Sequence, residues 1–399
     1  MRVGMGKAPR RPWWLLAACG LLLSGCAQFD DRAANQTFEP APQLTAPAGP
    51  QPQVPEADGG ADPSRPSTPQ TSIPPPQGCT DYDQSVIATC LDTVSAVAAL
   101  PNTGAAPGAL AAERKTGRIV QVTAGGPAAE VRRLDVQATG DGGLTGLALS
   151  PTYSEDQLVF AYVTTATDNR VVRFTRGQQP KPVLTGIPKG ATGNRGAIMT
   201  DGRGALLVAT GDAGNPAAAA DPRSLAGKVL RIDTAGNAAE GNPAPGSRVY
   251  ASGVHSPGGL CKATDGSRTW ITDRAADVDA LYAVTPGASL SVPTWTWPEK
   301  PALAGCADSG TSIVIATSVG ANLQELPITL DGSVGGKPKP LMDGKNGTAY
   351  GRYGALDQID SQFALVGTVN KDGGRPVSSD DRVVLISLQA TPGGGSGKD

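Results

Sequence analysis

The chain of 399 residues contains a single histidine, His255, and that scarcity removes most acid–base and metal chemistries at once. A Ser-His-Asp triad would have to run through His255, and no GxSxG, HExxH or phosphate-cradling Gly-rich loop accompanies it. The six cysteines form neither a CxxC pair nor a Cys/His cluster, so a zinc site is not expected. Lys and Arg (34) nearly balance Asp and Glu (36). The basic residues are scattered and not interleaved with aromatics, which argues against a nucleic-acid partner. No segment sustains the apolar period of a long helix. Gly (52) and Pro (35) are abundant instead, as in short strands with many turns, or in linkers.

Both occur. Arg2, Lys7, Arg10 and Arg11 precede "WWLLAACGLLL", an apolar run too short to span a bilayer comfortably. The following "LSGC", Leu23 to Cys26, resembles a bacterial lipobox. The resemblance implies a signal peptide over 1–25 and a Cys26 that is acylated and becomes the mature N-terminus. An ordinary secretory signal that happens to hold a cysteine is the plainer alternative, and Arg10-Arg11 is only a weak twin-arginine match. Residues 26–78 are rich in proline and bury too little to offset their ordering entropy. They are expected to be a disordered tether with a reach of ~100 Å where polyproline-like. The expected place is therefore outside the cytoplasm, with the membrane as partner through the lipid. The tail 391–399 is also expected to be flexible. Four cysteines remain after the anchor, and an even number outside the cytoplasm suggests two disulfides. Cys79–Cys90 and Cys261–Cys306 are the expected pairs.

Between 79 and 390 a unit of apolar strand, polar loop and apolar strand recurs six times. It begins at Gly108, Leu158, Leu206, Thr269, Ser312 and Phe363. Val, Ile, Leu and Thr alternate within the strands, and Gly, Asp and Asn bound them. A spacing of roughly 40 to 60 residues is that of four-stranded propeller blades. The expected fold is all-β, a six-bladed β-propeller, with two β-sandwiches as the alternative that the even spacing disfavours. A monomer is expected.

"GDGGLTGLALSPTYSEDQLVFAYVTT", "LLVATGDAGNPAAAADPRSLAGKVLRID", "LAAERKTGRI" and "VYASGVHSPGGL" are similar to motifs of the soluble glucose/sorbosone dehydrogenase family, in that family's order. The resemblance spans nearly all of 94–388 and implies a six-bladed propeller. It also implies pyrroloquinoline quinone (PQQ) and calcium on one face, a histidine that takes the sugar's hydroxyl proton, and cationic side chains on the cofactor carboxylates. In that pattern the base would fall at Gly193 or Asn194, and neither can accept a proton. Val254, His255 and Ser256 stand where the family has His, Arg and Asn, so His255 replaces a cofactor-binding arginine. It is a candidate for catalysis or cofactor contact, and a loop residue with a structural hydrogen bond is the plainer reading.

Other candidates have similarly plain alternatives. Asp212 and Asp221 could bind calcium or cap turns. Asp141, Arg195 and Arg352 could meet the cofactor, and Lys345 and Arg375 could meet an anion. Tyr350 and Tyr353 in "YGRY" could stack on a flat ligand. Trp295 and Trp297 could form a sugar platform or pack between blades. The function read from these residues is a lipid-anchored, ligand-binding or scaffold propeller. The alternative is a PQQ-dependent sugar or alcohol dehydrogenase with an altered site. No cofactor is assigned with assurance.

Overall fold

Each repeat supplies the two middle strands of a four-stranded antiparallel sheet, and six such sheets form a six-bladed propeller in a computed structural model. It describes residues 73–101, 106–345 and 348–388. Cys26, the expected signal peptide, most of the expected tether and the tail lie outside the described residues.

Each blade begins with its inner strand. These are Val94–Ala99 (blade I), Leu144–Leu149 (II), Gly196–Thr200 (III), Pro257–Lys262 (IV), Leu303–Asp308 (V) and Tyr353–Gln358 (VI). The inner strands are rich in small residues because they crowd the axis. A Cβ on Gly305 would stand 2.2 Å from the Leu356 nitrogen, and one on Gly259 would stand 2.7 Å from the Gly305 Cα.

The expected alternation gives way to burial on both faces. All six residues of Val159–Thr164 and of Ser312–Thr317 are buried. Apolar clusters lie between every pair of neighbouring blades, including VI and I, so each blade has an apolar layer on both sides. Burying one such aliphatic side chain contributes about 1.5–3 kcal/mol, and this layering holds the ring together.

The outer strand of blade VI is Val86–Ala88, drawn from the start of the folded chain and paired antiparallel to Val383–Ser387. Cys79–Cys90 brackets this strand, with Cα atoms 5.4 Å apart. Arg382 fixes the same segment through Asp81 at 2.9 Å and Asp380 at 2.8 Å. Cys261–Cys306 joins the inner strands of blades IV and V. Both pairings are those expected from the sequence.

Candidate functional site

The loops that enter the inner strands, and those joining the second and third strands of each blade, meet at one end of the ring. Their charged side chains converge there. Arg114 directly follows Gly108–Glu113, the second strand of blade I, and is 5% exposed. It donates to the carbonyls of Ala138, Gly140 and Gly142 and pairs with Asp372 of blade VI at 2.9 Å. Lys115 pairs with the same carboxylate at 2.8 Å. Arg195, at the entry to blade III, donates through Nε to the Pro257 carbonyl. Arg274 ends the second strand of blade IV and donates through Nε to the Leu303 carbonyl. Arg352, at the entry to blade VI, donates to the Gly373 carbonyl, and its buried Nε has no partner. Among the described residues no partner is found for the terminal nitrogens of Arg195 or Arg274.

These guanidinium groups act on one another. Burial lowers the basicity of Arg195, and the nearby Arg114 adds to the effect while Asp141 opposes it. Burial lowers Arg274 much further, with Arg195 and Arg352 adding their repulsion against Asp279 and Asp141. Four arginines from four blades thus share one neighbourhood with too few carboxylates for all of them. Such a set suits a ligand with several anionic groups, because each guanidinium offers paired donors matched to a carboxylate.

The position where the resemblance expects a proton acceptor is closed. Asn194 is 1% exposed. Its amide donates to Gly190 O and Asp141, and its oxygen accepts from Gly190 N and Asn169. Gly193 has φ 68°, and a Cβ there would lie 2.6 Å from an Asp212 carboxylate oxygen. No larger side chain fits at 193 unless the Asp212 loop moves. Asp141 clamps this entry, accepting from the Gly193 and Asn194 amides at 3.0 and 3.1 Å.

His255 is held from both sides. Its backbone N–H donates to Asp273, and its carbonyl accepts the Asp212 N–H at 2.8 Å. Its Nδ1 lies 3.1 Å from the Asp212 carboxylate, which also takes the Gly214 N–H. Burial raises the Asp273 carboxyl, although the His255 and Ser256 amides oppose the shift.

The remaining candidates sit elsewhere or do other work. Asp221 is paired with the exposed Arg223, so Asp212 and Asp221 have different partners. No group of three or more metal-binding side chains occurs among the described residues. Tyr350 and Tyr353 are buried, at 3% and 0% exposure, and are not available to stack on a ligand. Tyr350 donates to Asp83 and lies under the Arg382 guanidinium, not that of Arg352. Trp295 and Trp297 meet edge-on at 6.5 Å within the layer between blades IV and V, so they pack and form no open platform. Lys345 and Arg375 are exposed. Arg114 and Arg274 are not among the candidates named from the sequence. A signal was available, since both arginines occupy the same position in their repeats.

At the other end of the channel a cavity of about 650 Å³ opens among the exits of the inner strands, lined by Ala98, Leu147, Met199, Lys262 and Asp357.

Residues 91–303 match the family described as Glucose / Sorbosone dehydrogenase. The PQQ-bound form of an aldose sugar dehydrogenase from Streptomyces coelicolor is similar at 31% identity, over 75% of this chain and 95% of that one, with TM-score 0.69. A Thermus thermophilus oxidoreductase described as a glucose dehydrogenase is similar at 27% identity, over 75% and 98% of the two chains, with TM-score 0.67. The aldose sugar dehydrogenase YliI of Escherichia coli (strain K12) is 25% identical over 182 residues, 41% of this chain. That match spans about half of the curated relative, 49% of its length.

Proposed function

The chain belongs to the glucose/sorbosone dehydrogenase family, and from that premise we propose that it is a ligand-binding propeller whose arginine face holds a ring ligand with several anionic groups. The observation that carries this reading is the convergence of Arg114, Arg195, Arg274 and Arg352. The quinone cofactor PQQ, present in the Streptomyces coelicolor relative, has the carboxylate chemistry these donors fit. When bound, such a group supplies a hydride acceptor. Arg195, Arg274 and Arg352 would hold the anionic groups, and Arg114, already engaged with carbonyls and Asp372, would brace the wall. The family's proton acceptor has no counterpart at Asn194. Losing such a base costs ~10²–10⁴-fold in rate, so sugar oxidation at the family's pace is not expected.

The proposal includes its setting. Cys26 carries lipid, the proline-rich segment is a tether, and the propeller works outside the cytoplasm as a monomer near the membrane.

The test is a calorimetric titration of the purified chain with PQQ, with and without calcium, followed by dye reduction with a panel of aldoses. The expected result is saturable PQQ binding that weakens at least tenfold in Arg195→Ala and in Arg274→Ala, with turnover well below about one per second. Absence of PQQ binding overturns the anion-site reading, and faster turnover overturns the view that the altered face is not an efficient oxidase.

A further inference from the structure

We propose that the cavity at the end of the channel opposite the arginines binds a small amphipathic zwitterion, an amino carboxylate whose carboxylate meets Lys262 and whose ammonium meets Asp357. The site shares no residue with the arginine end and does not depend on the reading of that end.

Two opposite charges face each other across this cavity without meeting. Lys262 ends the inner strand of blade IV, and its ammonium donates at 3.1 Å to the carbonyl of Thr200, the last residue of the inner strand of blade III. Asp357 lies one residue before the end of the inner strand of blade VI, and its carboxylate accepts the N–H of Ala99 in blade I at 2.8 Å. Lys262 therefore stands at the junction of blades III and IV, and Asp357 at that of VI and I. These junctions are three steps apart in a ring of six blades, so the two side chains line opposite walls. Each feels the charge of the other, yet neither forms an ion pair among the described residues.

The other polar side chains at this end are already engaged. Asp201 is paired with Arg231 at 2.8 Å and takes the amides of Arg203 and Ala205. Asp308 is held by Arg268 and by the Trp270 indole N–H. The Gln358 amide donates to the carbonyls of Asp308 and Asp360, and its oxygen accepts the Asp308 N–H. Lys262 and Asp357 keep spare capacity. An ammonium offers three protons, and only the Thr200 carbonyl takes one from Lys262. Asp357 accepts backbone amides but no cation. Burial lowers the basicity of Lys262, with Asp201 and Asp357 opposing, and raises the Asp357 carboxyl to about 6. A ligand that brings an anion to one wall and a cation to the other relieves both unpaired charges. Between them Ala98, Leu147, Met199 and Leu260 supply an apolar lining, which calls for an apolar body on the ligand. The volume of about 650 Å³ is that of a small-molecule site.

The experiment is a calorimetric titration of the purified chain at about pH 7.5, where Asp357 is ionised. The probes are linear amino carboxylates, from glycine to aminooctanoate, and apolar dipeptides with free termini. Saturable binding is expected, with affinity in the linear series passing through a maximum, because the two charges have partners at a fixed separation. Amidating the carboxylate or acetylating the amine of the best binder should each weaken it at least about tenfold. Lys262→Met should weaken the zwitterion to a similar extent, and should abolish the penalty for amidation while leaving that for acetylation. Asp357→Asn should do the reverse. The blocked ligands probe the same contacts in the unaltered chain, so the result stands even if a variant fails to fold. Absence of saturable binding by every zwitterion overturns the inference. So does affinity that only rises with chain length, or blocked ligands that bind as tightly as the parent.

Discussion

Lys228 shows how single residues shape the face from a distance. It is fully buried, and its ammonium donates to the carbonyls of Ala218, Ala219 and Ala226 at 2.8–2.9 Å. Burial lowers its basicity, with Asp221 opposing. It acts as an internal cation for the loop that also carries Asp212. Lys228→Met leaves three carbonyls without their donor and should cost about 3 kcal/mol, read by denaturant unfolding. Asp357 offers a pH test. Burial raises its carboxyl to about 6. Between roughly pH 4 and pH 6 the folded chain keeps a proton that the unfolded chain has released, so this group's contribution to stability falls as pH rises. Asp357→Asn retains an acceptor for the Ala99 N–H at 2.8 Å and removes the titration. The variant should be more stable than the wild type at pH 8, by up to about 3 kcal/mol, and should lose that advantage at pH 4. At this scale the sequence was least legible. His255 and Asp212 are 43 positions apart. Nothing in local spacing brings them together, and although Arg114 and Arg274 share a repeat position, their convergence shows only once the ring has closed.

The elements were easier to read, and the reason is physical. The second strand of each blade is largely apolar and bounded by turn residues, and this makes the repeat legible. The inner strands "LTGLAL", "PGGLCK" and "YGALDQ" carry glycines that weaken a strand signal but are demanded by close approach at the axis. The closing strand Val86–Ala88 is three residues long and pairs with a partner almost 300 positions away, which no periodicity reports. The disulfides have distinct tasks at this scale. Cys79–Cys90 closes a loop of separation 11 beside the last blade, and Cys261–Cys306 one of separation 45 between blades IV and V. On the chain-entropy model their removal should cost about 3 and about 4 kcal/mol. Replacing each pair with serines and comparing unfolding midpoints tests this ranking. A larger loss for Cys79–Cys90 would mean that pinning the closing strand outweighs loop entropy.

The propeller is a ring with two unlike ends, one crowded with guanidinium groups and one opening on a cavity with an apolar wall and two charged groups, Lys262 and Asp357. The repeat count and the family motifs made the ring legible, but the contrast between its ends was not, because it arises from residues of different blades. If Cys26 anchors the chain, Cys26→Ala should leave the membrane fraction and lose its lipid. Retention without lipid would refute the anchor. The central claim is that the arginine end is the ligand site. The most direct measurement is a crystal structure of the chain soaked with PQQ. The cofactor is expected over the channel mouth, with its carboxylates on Arg195, Arg274 and Arg352 and Asn194 making no proton-accepting contact. Cofactor density in the opposite cavity, or at the arginine end but away from these side chains, would contradict it.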